Sequence, residues 1–179
     1  MNKGIILYQS KYGATKKYAD WLAEVTGYDC METKKANLSS LQNYDTIILG
    51  GGVYASCIAR LSFLKKNAGN LSGKKLAVFA VGASPYDEKV IQQIRDFHFK
   101  DALSDIPLFY CRGAMDEDKL TFTHRTLCRM LQKAVAKQNP AERDPLQTAL
   151  FSSAGQKSDW TDKTYLEPLL RYLGVNENE

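Results

Sequence analysis

Five short apolar runs rich in β-forming residues recur along this chain, with helix-patterned stretches between them. Gly4 to Tyr8, Tyr28 to Glu32, Thr46 to Gly50, Lys75 to Val81 and Pro107 to Arg112 read as strands. Between them, Ala14, Tyr18, Trp21, Leu22 and Val25 share one face of a helix over Ala14 to Val25. Val90, Ile91, Ile94 and Phe97 do the same over Glu88 to Phe97, and Arg60 to Ala68 is a further helical stretch. Strands that are apolar throughout, rather than alternating, are buried on both faces. A chain that alternates such strands with amphipathic helices is therefore α/β, with a parallel sheet covered on both sides. A length of 179 residues suits one domain, 1–179, with a sizeable core.

The first strand runs straight into Ser10-Lys11-Tyr12-Gly13-Ala14-Thr15, and the first helix begins there. A helix N-terminus presents unpaired backbone N–H groups and the positive end of the helix dipole. Ser10 and Thr15 add hydroxyls, and Gly13 permits a turn that most residues resist. The set is suited to a phosphate; it also suits an ordinary strand-to-helix turn with Ser10 as cap. Neither G-x-x-x-x-G-K-[ST] nor G-x-G-x-x-G is present in this loop, which sets aside the nucleoside-triphosphate loop and the dinucleotide fingerprint.

Two more small-residue loops fall at strand ends. Gly50-Gly51-Gly52-Val53-Tyr54-Ala55-Ser56 follows the third strand, and Gly82-Ala83-Ser84-Pro85-Tyr86 follows the fourth. Glycines there let backbone approach a flat ligand, and Tyr54 and Tyr86 are placed to flank it; flexible turns with surface tyrosines are the plainer reading. The three loops together resemble those of flavodoxin-fold proteins, which bind flavin mononucleotide (FMN). The resemblance implies a doubly wound five-stranded parallel sheet of order 2-1-3-4-5 with ligand at the carboxyl ends of its strands. It assigns the phosphate to Ser10, Lys11, Tyr12, Gly13, Ala14 and Thr15. It assigns the ring to Gly51, Gly52, Val53 and Tyr54 and to Gly82, Ala83, Ser84, Pro85 and Tyr86. Within the fold, Lys11 in the loop, Gly113-Ala114-Met115 after the fifth strand, a basic insertion helix and Ser158-Asp159-Trp160 are similar to the flavodoxin-like, menaquinone-dependent protoporphyrinogen dehydrogenase group. That likeness implies an FMN oxidoreductase that takes electrons from an organic donor such as a porphyrinogen and gives them to a quinone or a redox protein. An electron carrier between proteins and a flavin-free interaction module are the alternatives.

Residues 113–156 exceed what a plain crossover needs and read as an insertion. It holds a helix over Leu120 to Lys137 and a polar, Pro-containing stretch from Gln138 to Pro145. In that helix Arg125, Arg129, Lys133 and Lys137 recur every four residues beside Leu127, Met130, Leu131, Ala134 and Val135. Such a helix either lies peripherally on an anionic membrane surface or packs its apolar side on the sheet. Asp159 reads as the N-cap of a last helix reaching Leu173, kinked by Pro168, with Asn176 to Glu179 frayed. The net charge of +4 departs from the acidic soluble carriers of the fold.

Four cysteines without a C-x-x-C pair imply a reduced, cytoplasmic setting, and the N-terminus has no signal-peptide pattern. His98 and His124 lack metal-ligand spacing and read as surface or helix-end residues. Cys57 reads as a small loop residue. No metal site, no nucleic-acid motif and no nucleophile–base set is visible, which suits chemistry carried by a flavin.

Overall fold

The computed structural model describes residues 3–54, 57–143, 147–148 and 157–175. Strand β1 (Gly4–Gln9) is flanked on one side by β2 (Asp29–Glu32) and on the other by β3 (Thr46–Tyr54), the middle strand of the sheet. Beyond β3 come β5 (Lys75–Gly82) and then β6 (Leu108–Arg112), all parallel. The spatial order β2-β1-β3-β5-β6 is the expected 2-1-3-4-5 arrangement. The sheet also carries a strand not expected from the sequence, β4 (Cys57–Ile58), antiparallel to the end of β3.

Side chains alternate across each strand, so the sheet has two cores. Ile5, Leu7, Ile47, Leu49 and Val78 point to one face, where α2 (Leu38–Leu41), α3 (Leu61–Asn67) and α4 (Glu88–His98) cover them with Leu41, Leu64 and Ile94. Ile6, Ile48 and Phe79 point to the other, under α1 (Ala14–Thr26) and the final helix α6 (Glu167–Leu173), which supply Tyr18, Leu22, Leu169 and Leu170. The expected apolar stripes are narrower than their patterns: Val25, Val90 and Phe97 are exposed. Each lies at the margin of a helix whose core contact is made by other residues of the stripe.

Three expectations are corrected. The third strand does not stop at Gly50 but carries all three glycines to Tyr54. A Cβ at Gly50 would fall 2.1 Å from Cζ of the buried Phe79, and one at Gly51 would fall 2.4 Å from the Ala59 carbonyl oxygen. The glycines thus serve close approach inside the sheet rather than a loop. Asp159 is not a helix cap: it lies in β8 (Lys157–Asp159), antiparallel to β7 (Ala114–Asp116). Asp162 caps the short 3-10 turn that leads into α6, accepting from the Thr164 N–H. Pro168 sits in the first turn of α6, where its missing N–H costs nothing, and produces no mid-helix kink.

The insertion helix α5 spans Phe122–Ala136. Only Val135 of it is buried, while Leu127, Met130 and Leu131 are exposed, so it does not rest its full apolar side on the sheet. Ala55, Ser56, Pro145, residues 149–156 and Asn176 to Glu179 lie outside the described residues, and with them the expected frayed end.

Candidate functional site

Gly13 is the residue on which the first loop turns. Its φ of 101° lies in the left-handed region, and it serves as the N-cap of α1. The Gly13 N–H donates to Ser10 Oγ at 3.1 Å, closing the loop, and α1 starts with the Lys17 N–H donating to the Gly13 carbonyl at 3.0 Å. The N–H groups of Ala14, Thr15 and Lys16 therefore precede the first helical bond and point out of the helix end. Thr15 beside them is only 3 % exposed.

This helix end opens into a cavity of about 280 Å³ at the carboxyl ends of β1, β3, β5 and β6. That is near the lower bound of ligand pockets, about 300–1,000 Å³. Of the residues singled out in the sequence, Ser10, Tyr12, Ala14, Thr15, Gly52, Val53, Tyr54, Gly82 and Ala83 line it. Lys11, Gly13, Gly51, Ser84, Pro85 and Tyr86 do not. Lys11 Nζ lies 5.5 Å from the Tyr12 ring centroid. Ser84 is tied to Tyr110, whose hydroxyl donates to the Ser84 carbonyl at 2.7 Å and lies 3.0 Å from Ser84 Oγ. Tyr86 is 58 % exposed and leans on Tyr110, with ring centroids 6.3 Å apart.

The far side of the cavity comes from the insertion. Gly113, Ala114, Met115, Leu120, His124, Leu127 and Cys128 complete its wall. Tyr12 OH and His124 Nδ1 are 2.6 Å apart, and Tyr54 packs against both rings, its centroid 6.2 Å from that of Tyr12 and 5.8 Å from that of His124. This trio joins the phosphate loop, the end of β3 and α5 across the cavity. His124 is a helix-end residue, as its sequence position suggested, in the first turn of α5, but it faces the cavity rather than solvent alone. The available signal was its helical spacing, since Leu120, His124, Leu127 and Cys128 fall on one face.

Below the site, the Tyr18 hydroxyl donates to the Arg112 carbonyl and accepts from the Asp162 N–H, locking α1 to the end of β6. Burial pushes the Tyr54 and Tyr110 hydroxyls above their ordinary range, so both remain protonated donors at neutral pH. Among the described residues no Asp or Glu lines the cavity.

A helix N-terminus with two hydroxyls at one end, and glycines, small apolar residues and aromatic rings at the other, define a nucleotide-cofactor site at the switch point of a doubly wound sheet. The chain belongs to the flavodoxin domain family, which it matches over residues 5–142. FMN is the cofactor of that family's site, and the residues present fit it: hydroxyls and free N–H groups for the phosphate, and for the ring a largely apolar slot lined, among the described residues, by no carboxylate.

Solved structures with a related arrangement include a flavoprotein from Lactobacillus acidophilus NCFM in complex with FMN. It is 20% identical, spans 63% of this chain and 93% of its own, and has a TM-score of 0.43. Oxidised flavodoxin 1 from Bacillus cereus is 22% identical over 65% of this chain and 89% of its own, with a TM-score of 0.40. Two-electron reduced flavodoxin from Megasphaera elsdenii is 18% identical over 60% and 82%, with a TM-score of 0.45. None of the curated proteins matches the chain. Family membership rests on the domain match, not on these structures.

Proposed function

We propose that the chain is an FMN-dependent oxidoreductase that takes electrons from an organic donor of the porphyrinogen kind and delivers them to a quinone. The observation that carries this reading is the roof that the insertion builds over the cavity. Met115, Leu120, His124, Leu127 and Cys128 extend the site beyond the three cofactor loops and give it an apolar wall. A carrier that docks on proteins needs an accessible ring edge; a roofed, apolar pocket suits a small apolar molecule held against the ring.

The redox chemistry is the cofactor's, and this chain's residues bind, orient and exclude water. Ser10, Thr15 and the first N–H groups of α1 hold the phosphate. Gly52, Val53 and Tyr54 on one side and Gly82 and Ala83 on the other frame the ring. The Tyr12–His124 bond holds α5 over the slot and fixes the orientation of the imidazole.

Anaerobic mixing of the FMN-loaded protein with protoporphyrinogen is expected to bleach the flavin's visible band, and a soluble quinone to restore it over repeated cycles. A stepwise dithionite titration is expected to show little one-electron-reduced flavin at the midpoint, because among the described residues no carboxylate lines the cavity to disfavour the fully reduced anion. Absence of turnover, together with a long-lived one-electron form that dominates the titration, would assign the chain to electron carriage instead.

A further inference from the structure

The net positive charge of this chain is confined to one segment. Residues 119–141 hold five basic residues, Lys119, Arg125, Arg129, Lys133 and Lys137, and no acidic one. The remainder carries 19 basic against 20 acidic residues and is close to neutral. The same segment forms α5, whose outward side also displays large apolar groups: Phe122 is 86 % exposed and Met130 64 % exposed. Arg129 adjoins Met130 in the chain and Lys133 lies one turn beyond Met130, and among the described residues neither they nor Lys137 has an ion-pair partner.

From this charge and apolar pattern we infer that α5 docks on an anionic lipid bilayer, with Arg129, Lys133 and Lys137 at the headgroups and Phe122 and Met130 inserted among the acyl chains. An acidic protein surface would satisfy the cations but would leave a nine-tenths exposed Phe and an exposed Met without a purpose, whereas the interfacial region of a bilayer takes both. Among the described residues no helix is long and apolar enough to cross a membrane, so the contact is peripheral. Leu127, half exposed on the same helix, is also part of the cavity wall. The docked face therefore sets the roof of the cavity against the lipid.

The test is co-sedimentation of the FMN-loaded protein with vesicles of phosphatidylcholine alone or mixed with phosphatidylglycerol. Sedimentation is expected with the anionic vesicles only, weakening as salt shortens the screening length. Each basic residue at such a surface is worth about a fivefold change in partitioning, so the Arg129→Gln, Lys133→Gln, Lys137→Gln triple variant is expected to lose about two powers of ten. The Phe122→Ser, Met130→Ser variant keeps every charge and is expected to sediment less than the unaltered protein. None of the five residues lines the cavity, so FMN content and far-ultraviolet dichroism report folding independently. Failure of the unaltered protein to sediment with anionic vesicles at low salt would overturn the inference, as would equal sedimentation of the triple variant. Unchanged sedimentation of the Ser variant would also overturn it, leaving a purely electrostatic face suited to an acidic protein.

Discussion

Thr15 is buried on the first turn of α1, and its side chain lines the cavity where the helix N-terminus opens. A hydroxyl hydrogen-bonded to a phosphate contributes about 1.5–3 kcal/mol. Thr15→Ala is therefore expected to weaken FMN binding by about one to two powers of ten with the fold intact, as read by titration of the apoprotein. Gly50 carries a different demand. Its missing Cβ is the space that the ring of Phe79 occupies from the neighbouring strand, and Phe79 is fully enclosed. Gly50→Ala overpacks the sheet at a cost of about 1–3 kcal/mol, which in a chain of this size lowers the thermal midpoint by several degrees. An unchanged midpoint in calorimetry would mean that Phe79 finds another rotamer. Both residues stand out in the sequence, but for unequal reasons. Thr15 is legible because a hydroxyl after a glycine at a strand-to-helix junction has a local purpose. Gly50 reads only as the strand's end before a loop, because only the partner strand, 29 positions away, reveals what fills its Cβ position.

Among the elements, the inner parallel strands β1, β3 and β5 were the most legible, since burial on both faces writes an unbroken apolar run. The β7–β8 pair was not, because three-residue strands matched as Met115 to Ser158 leave no periodic signal. What fixes β8 is a polar knot. Asp159 accepts from the Thr161 hydroxyl at 2.6 Å, from the Thr161 N–H at 3.0 Å and from Lys17 Nζ of α1 at 3.0 Å. The Thr161 hydroxyl, and then the N–H and the lysine, hold the Asp159 carboxyl down to about 2 from its ordinary 3.8. A depressed carboxyl stabilises the fold fully above its unfolded value and loses that contribution as pH falls through its folded value. Asp159→Asn is therefore expected to be less stable than the unaltered chain near neutral pH. The gap should close between about pH 4 and pH 2 in denaturant titrations at each pH. Because the side chain is half exposed, the gap is expected to stay under about 1 kcal/mol. A gap that persists at pH 2 would show that Asn disturbs β8 by packing rather than by charge.

At the scale of the whole molecule, four strand ends and one inserted helix converge on one cavity, and the sequence displayed the strand ends far better than the helix. Ser10 to Thr15 and Gly82-Ala83 announce themselves by residue type beside an apolar run. His124 reaches Tyr12 only because α5 folds back across 112 positions, a contact that no local pattern encodes. On the proposed reading, the cofactor's phosphate sits on the N-terminus of α1 while its ring lies in the apolar slot. Apoprotein titrated in parallel with FMN and with riboflavin, which has the same ring and no phosphate, tests this most directly. Several charge-assisted hydrogen bonds of about 1.5–3 kcal/mol each separate the two ligands, so FMN is expected to bind at least about a hundredfold more tightly. Equal affinities for FMN and riboflavin would contradict the account, because the loop from Ser10 to Thr15 would then hold no phosphate.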